Sequence, residues 1–334
     1  MSIRKSSNLK GIGVGDIEHR IALYADDLIL FCSNLKQTIP SILELISSFG
    51  VFAGYKINST KSVILFMNEN ERLNPPIHTP FAVSLKGFTY LGVVITPTID
   101  KVVSTNYDPL TDKVTPLINR WMRLPISMIG RINILKMSVL PKYLYLFQSI
   151  PLAHPLSFFC SLQKLFSNFI WNNRRPWLRL SLLYLPYDRG GLQLPNLLWY
   201  YWAAQIRSGM FYFIKDSPPV WVSMESLQIN IPLNLYMYSA DRNKLIKLTK
   251  NPFLKNTIMI WHNALAYLGE ATKLSQFSPI FGNEDFPPGR ADSGFRMWAS
   301  HGVAKISDLF KDNASFLTFE ELKASYRIPS KHFF

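Results

Sequence analysis

The sequence predicts an α+β fold, with a small antiparallel sheet carrying one helix first and a mainly helical chain after it. Short apolar runs rich in strand-forming residues, divided by turn residues, crowd the first hundred positions. Beyond Asp108 the apolar residues recur at three- and four-residue spacings, the period of helices packed on one face. Charge follows the same division. Of a net +14, +11 falls between Lys101 and Lys215, where six lysines and eight arginines meet only Asp108, Asp112 and Asp188.

Taken in order, Gly11 to Asp16 reads as a glycine-rich turn feeding a strand over Ile17–Tyr24. Tyr24-Ala25-Asp26-Asp27 then joins that strand to Leu28–Phe31, so two buried strands carry the aspartates at a tight tip. Adjacent carboxylates repel and call for an opposing charge, for which a divalent cation with oxygen ligands is one solution and an ordinary polar turn is the alternative. From Thr38 to Phe52 the spacing of Ile39, Ile42, Leu43, Leu45, Ile46, Phe49 and Phe52 predicts an amphipathic helix, with Pro40 in its first turn and Gly54 closing it. A strand at Val63–Phe66, a loop from Asn68 to Pro80, and a strand pair Phe81–Leu85 and Phe88–Ile95 turning at Lys86-Gly87 complete one sheet.

The helical part begins with Leu117, Ile118, Trp121 and Leu124 on one helix. A second runs from Ile129 to Leu140 and stops at Pro141, with Arg131 and Lys136 off its apolar face. A third, Leu156–Ile170, turns Phe158, Phe159, Leu162, Leu165, Phe166 and Phe169 inward as core. Trp171 to Arg179 interleaves cations with aromatics in a loop, a mixture suited to phosphate contact with base stacking and equally to a solvated turn. Gly190-Gly191-Leu192 marks a turn before a helix from Trp199 to Lys215. Past Pro218-Pro219, short helices at Phe253–Ala266 and Phe316–Tyr326 alternate with proline-rich loops, and no chemistry is legible there.

Several classes are excluded by composition. At 334 residues and 48% hydrophobic content the chain is a folded protein of about two domains. Prolines and polar residues break the apolar region Val139–Trp171, so no membrane span is expected, and Met1–Lys10 lacks the apolar core of a signal peptide. A nuclear or cytoplasmic chain follows, on which the triplets at Asn58 and Asn313 carry no meaning as glycosylation sites. Cys32 and Cys160, the only cysteines, are expected as buried free thiols. The positive excess favours an anionic partner, nucleic acid or membrane surface.

The order of motifs is similar to that of a known family. Tyr24-Ala25-Asp26-Asp27, then Gly54-Tyr55-Lys56-Ile57-Asn58 with Lys61-Ser62, then Tyr90-Leu91-Gly92, resembles the later palm motifs of reverse transcriptases from non-LTR, LINE-type retrotransposons. Gly130-Arg131-Ile132 through Lys136 and Leu140-Pro141-Lys142 resemble the thumb that follows, and Phe169-Ile170-Trp171-Asn172 and Gly190-Gly191-Leu192 extend the likeness, which weakens over Trp298–Leu322. The resemblance implies a partial polymerase palm over 1–100, thumb-like helices over 101–150, a basic and aromatic helical extension over 151–215, and a helical region of unknown role over 216–334. It implies that Asp26 and Asp27 ligate Mg²⁺ or Mn²⁺ in a two-metal centre, and that Lys61, with Lys56 as competitor, donates a proton to pyrophosphate. Tyr90 and Gly92 would belong to the hairpin gripping the primer end. Arg120, Arg123, Arg131, Lys136 and Lys142 would track the RNA template and DNA primer backbones, with Arg174 and Arg175 beside them.

The departures are equally definite. The family's centre also takes a carboxylate from an earlier palm strand, and its fingers come earlier still. Asp16, the sole aspartate upstream of Asp26, is expected at the far end of the same strand, ~33 Å away. No endonuclease or cysteine-histidine element is present either. The expectation is therefore the carboxyl-terminal part of an RNA-directed DNA polymerase, inactive alone. Two other readings stand beside it: a non-catalytic remnant that binds RNA or DNA, and an aggregation-prone piece with an uncovered sheet face.

Overall fold

The computed structural model describes residues 9–54, 56–73, 79–214, 217–229, 232–238, 246–247, 249–269, 276, 278–280, 295–312 and 314–329. The chain is α+β and divides into two compact units, Met1–Leu117 and Ile118–Phe334.

In the first unit the expected single sheet is replaced, among the described residues, by four separate two-stranded ladders. β1 (Ile12–Val14) pairs antiparallel with β2 (Ile17–His19), and β3 (Ile21–Tyr24) with β4 (Asp27–Leu30). β5 (Val63–Leu65) pairs in parallel with β6 (Ala82–Ser84), and β7 (Phe88–Tyr90) antiparallel with β8 (Val93–Ile95). The turn residues account for the difference. Gly15 at φ +59° lets 12–19 close as its own hairpin, so Asp16 sits in that turn and not at the end of the strand leading to Asp26. Leu91 and Gly92 both take positive φ, +47° and +76°, which a two-residue type I′ turn requires, so 88–95 folds back on itself instead of running as one strand.

α1 (Leu35–Ala53) is the expected amphipathic helix, ended by left-handed Gly54, whose N–H donates to Gly50 O at 2.8 Å. It begins earlier than expected, so Pro40 lies past the first turn. Thr38, Ile39 and Ile42 are buried, whereas Phe49, Val51 and Phe52 stay exposed. α2 (Glu69–Leu73) lies in the crossover between the parallel strands. Buried Asn106, on α3 (Val102–Met122), accepts from Val94 N at 2.8 Å and donates to Val94 O at 2.9 Å. It thereby fixes β8, and with it the 91–92 turn, to the helix.

The second unit is helical. α4 (Met128–Ile134), a π-helical stretch Leu135–Val139 and α5 (Leu140–Ser149) succeed one another without a break, so Pro141 does not end a helix as expected. Its missing N–H falls directly after the π-helical stretch, where the backbone ladder is changing from i→i−5 back to i→i−4 bonds. α6 (Leu156–Trp171) packs Phe159, Leu162, Phe166 and Phe169 into the core, with Phe158 and Leu165 half-buried. After α7 (Leu180–Tyr184) comes α8 (Leu197–Gly209), whose Tyr201 donates to Leu152 O at 2.7 Å and whose ring meets Phe147 at 5.3 Å. Lys215, the expected end of that helix, lies outside the described residues.

α9 (Val220–Ser226), α10 (Leu233–Tyr238) and α11 (Pro252–Leu268) build a second cluster around Tyr212, Met237, Leu254 and Ile258. α12 (Arg296–Ser300) and α13 (Phe319–Tyr326) accompany a third around Ile280, Val303, Leu322 and Ile328. Cys32 is half-buried and Cys160 exposed on α6, so the expected burial of the second thiol is wrong; the wide face of a helix half in water explains it. Among the described residues no helix is long and apolar enough to cross a membrane.

Candidate nucleic-acid interface

The aspartate hairpin is built by register. Tyr24 pairs with Asp27, leaving Ala25 and Asp26 as the two turn residues. Ala25 adopts φ +52°, a strained setting for a side-chain residue of the kind that concentrates at functional sites. Asp26 therefore stands at the tip and Asp27 opens β4. The expectation of a buried hairpin is corrected: Leu23, Tyr24 and both aspartates are exposed, and only its base is half-buried, because no third strand lies against this ladder among the described residues. Two water-facing carboxylates are hard oxygen donors that suit Mg²⁺ held jointly with phosphates and water. Among the described residues no group of three His, Cys, Asp or Glu is arranged to hold a metal by itself.

Lys61 lies exposed after an Asn58 turn, its backbone N–H donating to Asn58 Oδ1 at 3.1 Å. Lys56 is exposed as well. Tyr90 is half-buried on β7 and Gly92 occupies the exposed 91–92 turn. Tyr55 of the same motif series lies outside the described residues.

In the second unit the basic residues separate into two kinds. Arg120, Arg123, Lys142, Arg174 and Arg175 are exposed. Arg131 is not: it is 5% exposed, and its placement on a backbone-tracking face is corrected. Nη1 donates to Phe169 O at 2.7 Å and to Asn172 Oδ1 at 3.3 Å, Nη2 to Met122 O at 3.3 Å, and Nε to Ile126 O at 3.1 Å. The guanidinium also lies over the Phe169 ring, 5.2 Å from its centroid. Its charge is thus met by the carbonyl ends of α3 and α6, where helix dipoles are negative. Gly130 makes room for this, since a Cβ there would come within 2.7 Å of Ile126 Cγ2. Lys136 is likewise engaged, donating to Leu192 O at 3.3 Å and lying over the Tyr187 ring at 5.4 Å, so it docks the Gly190–Leu192 turn.

Arg131 consequently ties together two basic segments. Arg120 and Arg123 flank Met122 at the end of α3, and Arg174, Arg175 and Arg179 follow Asn172 in the loop after α6. Asn172 and Asn173 both take left-handed φ, +52° and +58°, which asparagine tolerates, and Asn173 Nδ2 lies 3.0 Å from Met122 Sδ. Trp177 in that loop is 87% exposed. From Lys113 to Tyr187 the sequence holds ten lysines and arginines and not one carboxylate, so no internal partner neutralises the patch from this segment. Sequence reasoning missed Arg131's burial, although Arg131, Leu135 and Val139 share one helical face by spacing. No family model matches the chain.

Proposed function

We propose that this chain supplies the aspartate hairpin and the thumb of an RNA-directed DNA polymerase of the LINE type, and that acting alone it binds RNA and DNA without catalysis. The observation that carries the reading is the ordered set of motifs around Tyr24-Ala25-Asp26-Asp27. Support comes from the solvent-exposed carboxylates at a two-residue hairpin tip and the second tight hairpin at Tyr90-Leu91-Gly92. In the complete enzyme Asp26 and Asp27 would be ligands of a two-metal centre of Mg²⁺ or Mn²⁺. Such a two-metal centre would supply activation of the primer hydroxyl at one ion and charge neutralisation of the leaving pyrophosphate at the other. Lys61 offers an ammonium proton, and Tyr90 and Gly92 border the primer end. The first palm carboxylate has no counterpart in Asp16, which turns a different hairpin, so catalysis is assigned to the enzyme that also contains that strand.

Titration of an RNA/DNA hybrid at rising salt tests binding. If the five exposed cations Arg120, Arg123, Lys142, Arg174 and Arg175 each meet a phosphate, the log–log salt slope is about −4.5, and affinity falls roughly 500-fold between 50 and 200 mM salt. A salt-independent affinity, or none at low salt, overturns it. Catalytic assignment has a separate test: joined to a palm segment bearing the first carboxylate, the wild-type chain extends a primer with Mg²⁺ and Asp26→Ala abolishes extension. Normal extension by that variant rejects Asp26 as a ligand.

A further inference from the structure

We infer that the loop after α6 and the end of α3 form a surface for single-stranded nucleic acid, with Trp177 stacking on an unpaired base and Arg174, Arg175, Arg179, Arg120 and Arg123 meeting the flanking phosphates. This rests on the nucleic-acid reading above and names the form of strand that the patch takes. Trp177 is far more exposed than the packed indole of Trp121, whose ring lies 6.4 Å from Phe169 at the same junction. An indole held in water beside guanidinium groups gains from covering its face, and a base is the flat apolar surface that arrives with phosphates on either side. Paired bases have both faces occupied by neighbours, so only an unpaired strand presents one to a protruding loop.

The fixed geometry favours this use. Left-handed Asn172 and Asn173 reverse the chain directly after α6, and Arg131 binds Asn172 Oδ1 and Met122 O together. Both basic segments are therefore anchored to one buried guanidinium. All five cations are arginines, whose planar forks grip phosphate by paired hydrogen bonds and also stack on bases. An anionic membrane surface shares the charge preference, but calls for a broader apolar face than one indole with partly exposed Leu178 and Leu182 beside it.

Fluorescence anisotropy of the whole chain with three labelled probes tests this: a ~15-nucleotide oligothymidylate, an abasic oligomer of the same length, and the corresponding duplex. Trp177→Ala is expected to weaken oligothymidylate binding about 10-fold or more, while changing abasic and duplex binding less than about 2-fold, and Trp177→Phe to retain most of the affinity. Arg174→Gln with Arg175→Gln should weaken all three. Because Trp177 packs against little, the variants should melt as the wild type does. Equal loss on oligothymidylate and abasic probes, or binding to phosphatidylserine vesicles and no oligomer, overturns the inference. If wild type and Trp177→Ala bind single strand alike and the duplex still binds in a salt-dependent way, this inference fails while the nucleic-acid reading stands; if no probe binds, both fail.

Discussion

Removing the Arg131 fork should destabilise the second unit even though no carboxylate is left unpaired by it. Arg131→Met keeps similar length and apolar volume but deletes the four hydrogen bonds to Phe169 O, Asn172 Oδ1, Met122 O and Ile126 O. Charged hydrogen bonds are worth ~1.5–3 kcal/mol each, and each buried acceptor left bare costs ~1–3 kcal/mol. Against that, the variant no longer buries a guanidinium, a term of several kcal/mol. Phe169 O also keeps a bond from Asn172 N at 3.3 Å, and water can reach the part-buried Met122 and Ile126 carbonyls. The balance is a loss of about 2–4 kcal/mol, dominated by the fully buried Phe169 contact. In urea, with a slope of ~3 kcal/mol/M, the midpoint should fall by about 1 M. Arg131→Lys should lose nearly as much, because a single ammonium cannot span carbonyls from α3, the 126 loop and α6. A midpoint for Arg131→Met within about 0.2 M of wild type at unchanged slope would refute the reasoning.

Two further outcomes are expected. Gly191→Ala should cost about 1–3 kcal/mol in chemical denaturation, since a Cβ there would run into the Leu185 carbonyl, while Gly190→Ala, at φ +75° with open space around it, should cost only the backbone strain. Buried Glu225 accepts from Tyr212 OH at 2.7 Å, and burial holds its carboxyl pKa above the ordinary value. Its contribution to stability is thus fully present below the ordinary carboxylate pKa and lost as pH rises through the raised one. Denaturation midpoints at acid and neutral pH should show Glu225→Gln gaining on wild type as pH rises; a constant difference would reject that ionisation as the cause.

Local signals served well where one period governed a segment. The amphipathic spacing from Ile39 to Phe52, closed by Gly54, located α1, and the aromatic spacing from Phe159 to Phe169 located α6. Failures arose where a few residues redirected the chain. Leu91 gave no hint that it would accept positive φ beside Gly92, so a hairpin was read as a strand. Strand partners were illegible because runs this short carry no register of their own, and the parallel pairing of Val63–Leu65 with Ala82–Ser84 depends on a crossover through 66–81. For the candidate site, adjacency of Asp26 and Asp27 was plain, but their exposure was not. Arg131 is illegible for a related reason: a cation reads as lying off the apolar face until the acceptors that meet it are known, and two of the four, Phe169 O and Asn172 Oδ1, come from residues about forty positions away.

The π-helical stretch acts as a phase adjuster in the long helical run. Leu135, Val139, Tyr143 and Phe147 are all nearly inaccessible, yet they repeat every four residues, a stride that slips about 40° per step on an α-helix of 3.6 residues per turn. Leu140 N–H reaching back to Leu135 O inserts one residue's worth of slack, which returns the later side chains to the same side. The consequence is a length constraint independent of side-chain chemistry. Deleting 78%-exposed Met137 removes no core atom and lets the stretch close as plain α-helix with Phe147 still against Tyr201, whereas one further inserted residue has no slack to absorb it and rotates everything beyond by about 100°. Here the number of residues is itself what the core reads.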